Sequence, residues 1–134
     1  MENTPSNNVT WDETKRVGKM TLANGKTANL EIDFPDDELL PDVILNSVQF
    51  VIANEATIRH KIAASMTGLY KDWNDNKTIT AEELAQKIHL TNIDFYEEGD
   101  GQLTYKPEGD IFTDHSICAW FDANGEIDEP GLEG

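Results

Sequence analysis

Apolar and polar residues alternate in the first part of this chain, lengthen to a helical repeat in the middle, and return to alternation towards the end. Trp11 to Leu22 and Thr27 to Phe34 read as two strands on either side of Asn24-Gly25. Asn-Gly between alternating segments is a strong hairpin signal, because both residues tolerate positive φ. Pro35-Asp36-Asp37 then stops the strand. From there Ile44, Val48, Val51, Ile52, Ile58, Ile62, Met66, Leu69 and Trp73 recur near the helical period, with Asp42 as the predicted N-cap of a helix beginning at Val43. The stripe is interrupted at Asn54-Glu55, and one unbroken helix would run to roughly 45 Å at about 1.5 Å per residue. A kink, or two helices, is therefore predicted.

Thr80-Ala81-Glu82-Glu83 has the form of a capping box, in which Thr80 and Glu83 satisfy each other's free amides, so a short helix is predicted from Ala81 to about Ile88. Asn92 to Glu97 and Gln102 to Lys106 form a second predicted hairpin around Gly99-Asp100-Gly101. Ser116 to Phe121 and Glu126-Ile127 form a third around Asp122-Ala123-Asn124-Gly125. Strand pair, helices and strand pairs in that order predict an α+β fold, an antiparallel sheet built from hairpins with helices packed on one face. Residues 1–10 read as a polar, disordered leader, and residues 11–134 as a single domain.

Composition narrows what such a domain can touch. The chain has 134 residues, of which 38% are apolar, with three Trp, five Phe and three Tyr to anchor a core. Its formal net charge is −16, and the acids are unevenly spread: residues 89–134 hold 12 Asp and Glu against Lys106 alone. That balance argues against a nucleic-acid partner and for a basic protein partner. Lys15, Arg16 and Lys19 are too small a basic cluster to reverse it. The polar start lacks the apolar centre of a secretory signal, and runs such as Phe50-Val51-Ile52-Ala53 are too short to span a bilayer. Cys118 is the sole cysteine, so no internal disulfide forms. A soluble cytoplasmic protein without membrane contact is expected.

Candidate chemistry is sparse. Asp72 to Glu83 resembles the EF-hand calcium loop, with Asp72, Asn74, Asn76 and Thr78 as oxygen donors at alternate positions and Glu83 at the twelfth. Lys77 stands at the sixth position, where such loops need glycine for a sharp turn, and Lys71 precedes the loop where they place an apolar residue. A polar connector between two helices is the competing reading. His60, His89 and His115 fall in different elements with no zinc-binding spacing. His115 and Cys118 are three apart in a predicted strand, which sends them to opposite faces and removes a nucleophilic pair. No phosphate loop, dinucleotide fingerprint or nucleophile elbow occurs, so no cofactor is expected. An enzyme built around Asp114-His115 is kept as an alternative, although the balance leans away from an enzyme.

The order of landmarks is similar to that of a family of small, uncharacterised bacterial proteins of the domain-of-unknown-function kind. Trp11, Leu69-Tyr70-Lys71-Asp72-Trp73-Asn74, Ile79-Thr80-Ala81-Glu82-Glu83-Leu84, Leu90 with Ile93, Ile111-Phe112-Thr113-Asp114-His115-Ser116-Ile117 and Asp122-Ala123-Asn124-Gly125 carry the resemblance. It implies that Trp73 to Glu83 is a helix connector, and it brings no activity. Related small acidic bacterial proteins are often encoded beside toxins and proposed as immunity proteins, so the resemblance implies a protein partner. Asp110, Asp114, Asp122, Glu126, Asp128 and Glu129 are the expected contact residues. The leading expectation is thus a non-enzymatic acidic binding protein, with the calcium module and the enzyme as alternatives.

Overall fold

Alternation in the flanks of the chain builds one seven-stranded sheet, and the helical repeat between them lays two helices on one of its faces. The computed structural model describes residues 8–22 and 25–133. Strands β1 (Asn8–Trp11), β2 (Val17–Thr21) and β3 (Thr27–Ile32) come first, then helices α1 (Asp42–Trp73) and α2 (Ala81–Gln86), then β4 (Ile88–Phe95), β5 (Gly101–Pro107), β6 (Ser116–Phe121) and β7 (Gly131–Glu133). The strands lie side by side in chain order. Every neighbouring pair is antiparallel except β3 and β4, which run parallel because both helices intervene between them. The fold class is α+β, as the pattern predicts, with this one parallel pair added.

The first predicted strand divides in two. Asp12 turns the chain: its carboxylate accepts the Thr14 hydroxyl at 2.8 Å and the Arg16 amide at 3.2 Å, while Lys15 takes a left-handed φ of 60°. The Thr14 hydroxyl bond leads in holding the Asp12 carboxyl below its ordinary value. β1 then pairs back on β2 from Asn8, three residues earlier than the predicted start of the domain at Trp11. The predicted hairpin at Asn24-Gly25 rests in part on Asn24, which lies outside the described residues. Gly25 has a φ of 84° and donates its amide to the Leu22 carbonyl at 2.9 Å.

The predicted division of α1 into two helices does not occur. One helix of 32 residues runs from Asp42 to Trp73, roughly 48 Å at about 1.5 Å per residue. Glu55 occupies the gap in the apolar stripe and is buried, and its carboxylate accepts the Tyr105 hydroxyl at 3.1 Å and lies 3.4 Å from the Arg59 guanidinium. A satisfied polar residue continues the seam, so the helix runs on through this point instead of dividing in two. Asp42 is the first helical residue and not the cap; Pro41 holds the cap position. Ile44, Val48, Val51, Ile58, Ile62 and Met66 are buried around Glu55. Contacts along α1 show its course beside β5: Ser47 donates to the Gly99 carbonyl at 2.6 Å, Glu55 meets Tyr105, and Tyr70 packs edge-on against Phe112.

Thr80 and Glu83 form the predicted capping box of α2. The helix ends at Gln86, earlier than predicted, and β4 begins at Ile88, four residues before the predicted Asn92. A bulge between Leu90 and Asn92 explains the misreading. It shifts the alternation by one residue, so that Ile88 and Leu90 before it, and Ile93 and Phe95 after it, all face the core. In the last hairpin Ile127 meets Phe121 in an isolated bridge, and the partner strand β7 lies further on, at Gly131–Glu133. Among the described residues no helix is long and apolar enough to cross a membrane.

Candidate functional site

Among the described residues no helix covers the second face of the sheet, and the registers define what it presents. One row crosses the strands as Lys19, Asn29, Asn92, Thr104 and Cys118. The next crosses as Val17, Glu31, Asp94, Gln102 and Trp120. Trp120 and Val17 are 46% and 51% exposed although they sit in regular strands. Cys118 is the buried member, and burial leads in pushing its thiol above the ordinary value, so it packs as a small hydrophobe.

An aromatic pair and several carboxylates gather at one corner of this face. Tyr96 and Trp120 stack with ring centroids 5.9 Å apart and planes inclined by 27°. A hollow of about 300 Å³ beside them is lined by Arg16, Val17, Glu31, Ile32, Asp33, Asp94, Phe95 and Tyr96. Arg16 lends its charge to the hollow but turns its donors away from those acids. Its guanidinium donates to the carbonyls of Thr14, Phe34, Pro35 and Glu38 at 2.6–3.0 Å. Asp94 accepts the Asn92 side-chain amide at 2.9 Å. Burial, followed by the charges of Asp94, Asp33, Asp100 and Glu31, holds the Tyr96 phenol above its ordinary value.

The six acids expected to contact a partner are all exposed, but they do not form one patch. Asp110 and Asp114 precede β6, whereas Asp122, Glu126, Asp128 and Glu129 follow it, so the strand separates them by roughly 20 Å at about 3.3 Å per residue. The second group borders the aromatic corner, since the Asp128 amide donates to the Trp120 carbonyl at 2.8 Å. Asp122 turns its carboxylate inward on its own loop, accepting the amides of Asn124 at 2.9 Å and Glu126 at 3.0 Å. Sequence reading passed over Glu31, Asp33, Asp94, Tyr96 and Trp120. Their signal is the polar phase of the strand alternation, which becomes a surface only once the registers are known.

Residues 72–83 take a shape that suits a connector. The left-handed residues are Asp75 and Asn76, with φ of 56° and 64°, so the chain turns before the sixth position, Lys77. The Asn74 side-chain amide donates to the carbonyls of Tyr70 and Ile111, both at 2.8 Å, tying the end of α1 to the loop before β6. The Glu83 carboxylate accepts the amide and hydroxyl of Thr80 at 3.1 and 3.0 Å. Two of the five oxygen-bearing side chains proposed for calcium thus have structural duties, and Asp72, Asn76 and Thr78 stand exposed beside them.

His115 lies in a hollow of about 340 Å³ with Lys106, Pro107, Gly109, Phe112, Thr113, Asp114 and Ser116. Its Nδ1 faces the Phe112 carbonyl at 3.0 Å, and its ring meets Trp73 edge-on at 5.2 Å. The imidazole is oriented by a backbone carbonyl and an indole, and the exposed Asp114 lines the same hollow.

Fold and surface together define a class: an α+β domain in which helices cover one face of a mostly antiparallel sheet and the other face stays open. Within that class the chain belongs to the DUF2262 family, uncharacterized proteins conserved in bacteria, whose match runs over residues 8–132. The sequence resemblance to such a family is therefore correct. No curated protein and no solved structure matches the chain.

Proposed function

We propose that this protein binds a basic protein partner and does no chemistry of its own. The observation that carries this reading is the charge distribution: 12 acids against Lys106 alone from residue 89 onward, with Asp110, Asp114, Asp122, Glu126, Asp128 and Glu129 all exposed. Such a surface draws an oppositely charged protein into fast encounter and repels nucleic acid. A cytoplasmic immunity protein that neutralises a basic toxin is the specific form of this reading. The test is capture from a lysate of the native bacterium on immobilised full-length protein, followed by elution with rising salt. A basic protein retained at low salt and released as salt rises supports the reading. A captured set with no basic member, or one indifferent to salt, sinks it.

A further inference from the structure

We propose that the partner docks on the open sheet face, with Tyr96 and Trp120 as a platform for an arginine side chain and Glu31, Asp33 and Asp94 as its acidic rim. This rests on the reading that the partner is a basic protein, and it moves the centre of contact from the loops to the sheet.

Three observations converge on that corner. First, among the described residues no helix covers the face: both helices lie on the other side, and the row Val17, Glu31, Asp94, Gln102 and Trp120 faces outward. Second, the exposed large side chain at its edge is a tryptophan stacked on a tyrosine at 5.9 Å. A flat, amphipathic aromatic surface buries much area with little loss of side-chain freedom, which is why such residues anchor interfaces. Third, the charge there is unbalanced. The ion pairs of Arg59 with Glu55 and of His89 with Glu108 both lie away from this corner. Arg16, the cation of the hollow, is turned onto backbone carbonyls.

Charge complementarity fixes the sign of the occupant, and the aromatic stack selects its shape. A planar guanidinium lies flat on an indole while its edge donates to carboxylates, so it satisfies both features at once. An ammonium answers the carboxylates but lacks a plane to stack. The Asp122 to Glu129 loop, held to the Trp120 carbonyl by the Asp128 amide, lies close enough to extend the acidic rim.

The probe is acetylated octaarginine amide, titrated into the isotope-labelled full chain at low salt and followed by backbone amide and indole NMR signals, with octalysine in parallel. Shifts centred on Glu31, Asp94, Tyr96, Gln102 and the Trp120 indole are expected, with octaarginine bound more tightly than octalysine. Trp120→Ala should weaken octaarginine binding by roughly tenfold. The double variant Glu31→Gln/Asp94→Asn, which leaves the aromatic pair in place, should reduce the salt dependence of binding. Shifts confined to Asp110, Asp114 and residues 122–129, with Trp120→Ala binding as the parent does, overturn the sheet-face dock while leaving the basic-partner reading intact. Absence of saturable binding at any site overturns both.

Discussion

The two faces of the sheet are made from the same strands, often from adjacent residues, yet they differ in nearly everything that decides stability. On the covered face Met20, Leu30, Ile93, Leu103, Tyr105, Ala119 and Phe121 are almost fully buried in one core beneath the helices. On the open face their neighbours Lys19, Glu31, Asp94, Gln102 and Trp120 are exposed or half-buried. A single strand therefore serves two tasks. Its apolar phase holds the fold together, and its polar phase is free to change with little effect on folding. The covered face is therefore where substitution should cost the fold most, and the open face where it should cost least.

Adjacent residues on β5 test the contrast most sharply. Leu103→Ala should lower stability by about 2–5 kcal/mol, because it removes buried methyl groups and leaves a cavity. Gln102→Ala, one residue away on the open face, should stay within about 0.5 kcal/mol of the parent. Urea unfolding of the two variants measures both, and comparable losses would break the distinction between faces. Gly101→Ala sits between these extremes. A Cβ there would lie 2.0 Å from the Asp94 carbonyl oxygen and 2.4 Å from the Phe121 ring. Backbone cannot yield as a flexible side chain does, so a loss of about 1–3 kcal/mol is expected from the same measurement.

A polar contact inside the covered face sharpens the comparison differently. The Tyr105 hydroxyl donates to buried Glu55 at 3.1 Å, and burial together with the Glu55 charge pushes its phenol well above the ordinary value, keeping the proton in place. Glu55→Leu leaves that hydroxyl without its acceptor and should cost about 1–3 kcal/mol. Adding Tyr105→Phe removes the orphaned group and should recover most of the loss, giving a clear interaction energy in the double-mutant cycle. Additive losses would mean that the two side chains act independently and that Glu55 is tolerated in the core for some other reason.

Much of this architecture is legible in the sequence, and the parts that are not have physical causes. The Thr80 to Glu83 capping box and strand Ser116 to Phe121 follow from local chemistry and were expected where they occur. The continuous α1 was not, because Glu55 looks like a gap until Tyr105 arrives from the sheet 50 residues away to satisfy it. The start of β4 was hidden by its bulge, and β7 by a segment of three residues that pairs only through its neighbour. The candidate surface was the least legible of all. Val17, Glu31, Asp94, Gln102 and Trp120 come from five strands, and only pairing registers put them in one row. Counting acids along the chain pointed instead to the loops flanking β6, which are acidic but stand at opposite ends of that strand.

The smallest expected effect concerns the open face itself, where charge acts in water. His89 and Glu108 meet there at 2.6 Å, and the hydrogen bond from His89 leads in lowering the Glu108 carboxyl below its ordinary 4.5. A carboxyl whose folded value is depressed contributes stability that is present above the unfolded value and is lost as pH falls through the folded one. The contribution of Glu108 should therefore be complete above pH 4.5 and fade below it. Because this side chain is solvent-exposed, Glu108→Gln should differ only slightly from the parent in urea midpoint at neutral pH, and the gap should close in acid. A gap that persists unchanged below the titration of Glu108 would show that the side chain stabilises by packing, and that the open face shares more of the fold's energetics than its exposure indicates.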